Sequence, residues 1–155
     1  MPINMQQLIL DDIVSRLEAI PVWGELVEED NVLRLIDTDD QTLPDRFIVI
    51  QPGQTDEVER VGHGSVRERW TLTITPMTRV RAAASALREV RLAIKAALAG
   101  VNAGIKVNGL QQAAFLTETP MLADAGRRWS VQAMPMPLCS KPLPSSQTRI
   151  SRLRW

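Results

Sequence analysis

Residues 69–100 decide the fold, and they read RWTLTITPMTRVRAAASALREVRLAIKAALAG. The first part alternates apolar residues with threonines, which is typical of a β-strand with one apolar face: Trp70, Leu72 and Ile74. The second part has apolar residues at helical spacing, in one stripe: Val80, Ala83, Leu87, Val90, Ile94 and Leu98. Thr78 suits the N-cap and Gly100 the end of this helix, so we expect a strand followed by a helix of about 20 residues, roughly 30 Å long.

A second amphipathic helix is predicted over residues 4–20. Its apolar residues share one face: Met5, Leu8, Ile9, Ile13, Leu17 and Ile20. Asn4 is a suitable N-cap, and Pro21 opposes any continuation of the helix.

The segment between the two helices contains one strongly apolar run. Residues 47–50, FIVI, are apolar on both faces, which predicts a strand covered on both sides and ended by Pro52 and Gly53. Residues 32–36 could form another short strand before an acidic turn. Residues 54–68 are polar and predict a protruding β-hairpin or a flexible loop, whose exposed residues include Asp56, Glu57, Glu59 and His63.

The last third of the chain predicts weak strands and then an arm. Residues 105–108 have an edge-strand pattern, Phe115 and Leu116 could begin another strand, and residues 127–134 predict the last strand of the sheet. Four prolines then favour an extended arm: Pro135, Pro137, Pro142 and Pro144. The patterns together predict an α+β fold, in which an antiparallel (mixed) sheet of about four strands is packed by two main helices.

The predicted organisation is one domain over residues 1–135 and a Pro-rich basic arm over residues 136–155. The arm ends with arginines that alternate with apolar residues, which is unusual for a disordered tail. We expect this end to dock on the body of its own chain or on a neighbour through Arg149, Arg152, Arg154 and Trp155.

Composition gives little support for catalysis. The chain of 155 residues has one cysteine, Cys139, and one histidine, His63, so it can form no intrachain disulfide and no zinc site of the usual kind. It has no phosphate-binding loop and no dinucleotide fingerprint. We therefore predict no catalytic residues, no cofactor and no metal, and the chain is not expected to be an enzyme. No apolar run is long enough to span a membrane, and the acidic start does not resemble a signal peptide.

Charge is distributed unevenly along the chain. Residues 1–70 contain 15 acids and 6 bases, whereas residues 71–155 contain 3 acids and 12 bases. The fold could interleave the two halves, or opposite faces could carry opposite signs and let copies stack head to tail. The balanced total does not favour nucleic-acid binding, which is typical of a basic excess.

The outer side of the long helix is a candidate interface. Arg81, Arg88 and Lys95 lie roughly on one side, and Leu92 lies beside a face of small residues. Alanine is also a good helix former and charged helix faces are commonly solvated, so both interpretations stay open at this point.

The order of these elements resembles the tail terminator proteins of long-tailed bacteriophages and their relatives among small minor tail proteins. The resemblance covers about residues 5–135 and lies in four stretches, LPDRFIV at 43–49, WTLTIT at 70–75, ALAG at 97–100 and RWSV at 128–131. It implies an antiparallel sheet with helices on one side and a homo-oligomeric, six-fold ring in the virion tail. The arm after Pro135 has no counterpart in that pattern.

The implied function is structural. Such a ring caps the finished tail tube and contacts the tail tube protein and the head connector or neck protein, after assembly in the cytoplasm of the bacterial host. A head–tail connector, neck or other minor tail protein is the main alternative. A small-molecule binding module is a third, and it would require a concave pocket with convergent polar groups.

Overall fold

The computed structural model describes residues 4–61, 65–124 and 127–141. These residues form three α-helices: α1 (Met5–Glu18), α2 (Val32–Thr38) and α3 (Ala83–Ala97). They also form six strands: β1 (Val27–Glu29), β2 (Arg46–Val61), β3 (Ser65–Thr78), β4 (Leu110–Ala113), β5 (Thr119–Met121) and β6 (Ser130–Ser140). Two short 3₁₀ turns occupy Trp23–Glu25 and Val101–Gly104.

The strands form one sheet in the order β1-β2-β3-β6-β4, with β5 also paired to β6. Only the pairing of β1 with β2 is parallel, and the other pairs are antiparallel. The α+β class with a mixed sheet is therefore confirmed, although the sheet has more strands than predicted. The main hairpin, β2–β3, and the long β3–β6 ladder form its centre.

Helices α1 and α3 cover one face of the sheet and enclose the larger core. Most residues of the predicted stripes are buried there, including Ile9, Ile13 and Leu87, against Ile74 and Met134 of the sheet. The placement of Leu8 in the stripe of α1 is wrong, because its side chain is 46% exposed. The predicted cap of α1 is confirmed, because the side chain of Asn4 accepts a hydrogen bond of 3.1 Å from the backbone N–H of Gln7.

The opposite face is covered at one end by α2, where the sequence had suggested a strand. The prediction of a strand at 32–36 is wrong because Asn31 caps a helix, accepting a 3.0 Å hydrogen bond from the N–H of Arg34. Leu35 and Ile36 then pack on Phe47 and Val49 in a second core cluster. Residues 47–50 are fully buried, as predicted for a strand covered on both sides.

The hairpin is longer than its turn residues suggested. Strand β2 does not end at Pro52 and Gly53. The pairing with β3 shifts its register between Pro52 and Thr55, in a β-bulge, and then continues to the pair Val61–Ser65. Residues 54–61 and 65–68 thus form the predicted hairpin, and His63 lies outside the described residues.

The long helix begins later than predicted. Thr78 belongs to β3, where it pairs with Arg46 and with Ser130, and its hydroxyl accepts a 3.2 Å hydrogen bond from the N–H of Val80. Strand pairing on both sides holds this residue, so α3 begins at Ala83 and has 15 residues. Gly100 lies two residues beyond the C-cap Leu98, and its φ of 109° and ψ of −172° form a conformation that favours glycine.

Strand β6 continues through the prolines that were predicted to start the arm. That boundary is wrong, since residues 135–140 lie in the middle of the sheet beside β3. The carbonyl of Pro135 accepts a hydrogen bond from the N–H of Leu116, on the side of β6 that faces away from β3. The N and O atoms of one residue in an antiparallel strand point to the same side of the strand. Pro135 is therefore tolerated, because the N–H that it lacks would not have bonded to β3. The rest of the predicted arm, from residue 142, lies outside the described residues.

The weak strands between α3 and β6 are displaced from their predicted positions. Residues 105–108 form no strand, and pairing with β6 begins at Leu110. The strand suggested near Phe115 occurs instead at Thr119–Met121.

Candidate assembly surfaces

A buried carboxylate ties the segment before β5 to α3. The Glu118 side chain is 9% exposed, and its Oε1 lies 2.6 Å from the Nζ of Lys95. The Nε of Arg91 pairs with the other carboxylate oxygen. Because Arg91 and Lys95 lie one helical turn apart, both reach the same carboxylate, which holds residues 118–121 against the helix.

The pKa of Glu118 reflects these two cations. Burial alone would raise the pKa of the carboxyl group. Hydrogen bonds from Lys95 and Arg91, together with their positive charges, outweigh that effect and hold the pKa below its ordinary value. The carboxylate therefore stays ionised, as a structural ion pair requires.

A continuous groove runs between α3 and residues 118–130. One part has a volume of about 570 Å³ and is lined by Ala84, Leu87, Arg88, Arg91, Glu118, Pro120, Leu122 and Gln132. A second part of about 560 Å³ extends past the start of the helix to Arg79, Arg81, Ala123, Arg128 and Ser130. The parts share Ala84, Arg88 and Leu122, so we call them together the cationic groove.

The outer wall of the groove is fixed by the sheet. Met121 pairs with Val131 in the β5–β6 ladder, and the Ser130 hydroxyl accepts a 2.8 Å hydrogen bond from the N–H of Ala123. Leu122 between them is 53% exposed and presents its side chain on the wall. The groove therefore combines apolar walls with a rim of arginines.

Two of those arginines have no acidic partner among the described residues. Arg79 pairs with Asp45 at 2.8 Å, and Arg128 lies 3.4 Å from Asp39. Arg81 and Arg88 are exposed and make no ion pair within residues 4–61, 65–124 and 127–141. They are the cations that the groove offers to a ligand or a partner.

The opposite edge of the sheet is acidic. It consists of the end of α1, the 3₁₀ turn and β1, and we call it the acidic edge: Glu18, Glu25, Glu28 and Glu29. None of these four forms an ion pair with another described residue. Since β1 lies at one end of the strand order and β5 pairs with β6 near the other end, these acids and these arginines are separated by most of the width of the sheet.

The predicted interface residues of α3 fall into different environments. Arg81 and Arg88 line the cationic groove, and Leu92 is 61% exposed on the outer side of the helix. Lys95 is engaged by Glu118. Their role as an interface stays a prediction.

The other predicted partner residues lie elsewhere. Asp56, Glu57 and Glu59 are exposed on the hairpin, where Glu57 pairs with Arg60 at 2.8 Å and Glu59 with Arg67 at 3.2 Å. Outside the described residues are Arg149, Arg152, Arg154 and Trp155, and their docking stays a prediction.

Sequence reasoning missed the outer wall of the groove. Glu118 and Leu122 lie in an irregular stretch about which no periodic pattern gives information. One signal was present, because Glu118 is one of only three acids among residues 71–155, which contain twelve bases.

The remaining features of the surface are small. A cleft of about 130 Å³ lies between the start of α1 and the Pro52–Gly53 bulge. In the described part of the chain, no three His, Cys, Asp or Glu side chains are grouped so that they could hold a metal ion. No helix in that part has the length and apolar character needed to cross a membrane.

Comparison with known proteins gives a likeness in fold. No protein-family model matches the chain, and no curated protein does. Among solved structures, the fold is similar to that of a chain in the virion of a native gene transfer agent particle, with a TM-score of 0.62 and 14% sequence identity. The match covers 89% of this chain and 98% of that chain. At this identity the likeness shows a shared fold.

Proposed function

We propose that this chain is a structural protein of a phage-type virion and acts there as the tail terminator. In this role copies of the chain form a ring, six-fold in the family it resembles, that caps the tail tube and joins it to the head connector. The observation that carries the proposal is the fold shared with a gene transfer agent virion chain over 98% of that chain. The resemblance of the sequence to tail terminators supports the same assignment.

The surface chemistry supports contact rather than catalysis. The buried carboxylate of the groove, Glu118, is held by two cations and is thus occupied structurally. The cationic groove and the acidic edge lie at opposite sides of the sheet, and each carries charges of one sign that form no ion pair with another described residue. Such a distribution suits a heterologous interface, in which one surface of a copy meets a different surface of the next.

The partners of such a ring are other copies of the chain, the tail tube protein below it and the connector or neck protein above it. Assembly takes place in the cytoplasm of the bacterial host, and the finished ring stays in the virion tail. The β2–β3 hairpin has mostly exposed residues at 52–60, several of them charged, and supplies an element for one of these contacts.

A head–tail connector or neck protein is the second candidate. It is favoured by the same charge distribution, because connectors also assemble from copies of one chain. A terminator joins the tail before the head is attached, whereas a connector of the neck binds the head first.

Affinity purification from host cells that produce particles separates the two roles. If the chain is a terminator, tagged protein recovers tail tubes from cells in which heads are not made, and tails that lack the chain do not join heads. Recovery of heads without tails would favour the connector, and recovery of neither would contradict both.

The C-terminal arm can be tested in the same assay. Deletion of residues 145–155, or reversal of the charges of Arg149, Arg152 and Arg154, is expected to weaken self-association or docking. Unchanged assembly in both variants would remove the arm from the proposed function.

A further inference from the structure

The chain turns sharply at Val22 in a conformation that β-branched residues rarely adopt. Val22 has φ 67° and ψ −61°, and the N–H of Trp23 donates a 2.8 Å hydrogen bond to the carbonyl of Pro21. This is a γ-turn of the strained, positive-φ form. Trp23 is buried by the turn, while Val22 is 50% exposed. A strained valine thus projects from the surface next to the acidic edge.

Val22 lies between Glu18 and Glu25 in the segment that forms the acidic edge. Glu25 ends the 3₁₀ turn that follows Val22, and β1 with Glu28 and Glu29 comes directly after it. Because side chains alternate along a strand, Glu28 and Glu29 lie on opposite faces of β1, and the exposed carboxylates are those of Glu25 and Glu29. Val22, Glu25 and Glu29 therefore offer one exposed apolar side chain and two exposed carboxylates on this edge of the sheet.

This surface and the cationic groove lie at the same level of the sheet. A row of paired residues crosses the sheet from β1 to β5. Val27 of β1 pairs with Ile48 of β2, which pairs with Pro76 of β3. Next to Pro76, Met77 pairs with Val131 of β6, which pairs with Met121 of β5. Four strand spacings separate the two ends, or about 19 Å. Two complementary surfaces at one level on opposite edges allow copies to repeat side by side, as a closed ring requires.

We propose that Val22 and the acidic edge of one copy occupy the cationic groove of the next copy. Val22 lies against the apolar walls made by Leu122 and Pro120, and Glu25 and Glu29 face Arg81 and Arg88. Each of these arginines gains an acidic partner that its own chain does not give it among the described residues. This inference rests on the proposed ring and names the contact between its copies.

Sedimentation velocity of the full-length chain, over a range of protein concentration and salt, tests the pairing. Wild-type protein is expected to self-associate and to dissociate in high salt, since exposed charges are screened. Reversal of the groove, Arg81→Glu with Arg88→Glu, and reversal of the edge, Glu25→Arg with Glu29→Arg, are each expected to weaken association more than tenfold. An equimolar mixture of the groove-reversed and edge-reversed variants should recover association, because the acidic groove of one variant then meets the basic edge of the other.

Val22→Gly separates docking from folding. Glycine adopts positive φ without strain, so this variant should keep the wild-type melting temperature or exceed it. Loss of the projecting side chain should nevertheless weaken association at least fivefold. Leu33→Ala is the matched control, because Leu33 is 63% exposed on α2, outside both surfaces, and its loss should change nothing.

Three results would overturn the inference: a wild-type chain that stays monomeric at every concentration, a mixture that does not recover association, or Val22→Gly protein that associates normally. Binding of isolated tail tubes to the groove-reversed variant is measured in parallel. If that variant loses tube binding but keeps self-association, the groove belongs to the tube protein and the inference is wrong. Such a result leaves the proposed terminator function standing, whereas failure to join tails in any form contradicts the function itself.

Discussion

Arg79 covers the ring of Trp129, with its guanidinium carbon 4.7 Å from the ring centroid. Phe47 meets the same indole edge-on, at a centroid distance of 5.2 Å. The guanidinium also donates to the carboxylate of Asp45 and to backbone carbonyls in the loop after α2, including that of Leu43. One arginine thus joins the second core cluster, the loop and the start of the cationic groove.

Arg79→Lys should destabilise the fold even though the charge is kept. A lysine ammonium cannot supply the planar fork that bonds the carboxylate and several carbonyls at once, so we expect a loss of about 1–3 kcal/mol in the free energy of unfolding. Urea denaturation measures this loss. Arg81→Lys is the control, and it should stay within about 0.5 kcal/mol because Arg81 is exposed. Equal effects of the two substitutions would contradict the structural role of Arg79.

Glu118→Gln tests the ion pair that holds the outer wall of the groove. The substitution keeps the shape but leaves Arg91 and Lys95 without their counter-ion, and we expect a loss of about 1–2 kcal/mol in the free energy of unfolding. This expected loss is small for a buried carboxylate, because the side chains of Arg91 and Lys95 are about one third exposed and water can solvate their charges. Glu89→Gln, an exposed neutralisation on the same helix, is the matched control. A loss as small as that of the control would show that the pair adds no stability.

The same carboxylate gives a pH dependence with a defined sign. Its pKa in the folded protein lies below the ordinary value of 4.5, so the unfolded chain binds the proton more readily. The stabilisation by Glu118 is therefore complete above pH 4.5 and is lost as the pH falls through the lower, folded-state pKa. Measured as the difference between wild type and Glu118→Gln, it should shrink on acidification. A difference that stays constant would contradict the lowered pKa.

The sequence predicted the elements whose pattern is local. Helix α1, the buried run at 47–50 and the stripe of α3 follow from spacing alone, since each element buries one face or both. Helix α2 was missed because its seven residues are too few to separate an apolar period of 2 from one of 3.6. Asn31, which caps it, was the signal that could have identified the helix.

Features that depend on distant residues could not be predicted. Glu118 meets Arg91 across 27 residues, and neither position indicates the other in the sequence. Thr78 has the chemistry of a helix cap, but pairing with two strands keeps it in the sheet. That Arg81 and Arg88 have no acidic partner among the described residues is likewise a property of the fold, because the sequence contains many acids and does not show which of them pair with other bases.

Pro135 is the clearest case, and it leads to the last prediction. Its ring replaces an N–H that would face the edge between β4 and β5, whereas the N–H of Met136 points to β3, beside its partner Leu72. We therefore expect Pro135→Ala to change the free energy of unfolding by less than about 1 kcal/mol, and Met136→Pro to lower it by more than about 3 kcal/mol. Met136→Ala is the control for packing, because Met136 is fully buried and its truncation removes contacts without removing the hydrogen bond. Urea denaturation measures the free energy of unfolding of the three variants, and we expect Met136→Pro to lower it more than Met136→Ala does. If Pro135→Ala lowered it as much as Met136→Pro, the proposed direction of the N–H would be contradicted.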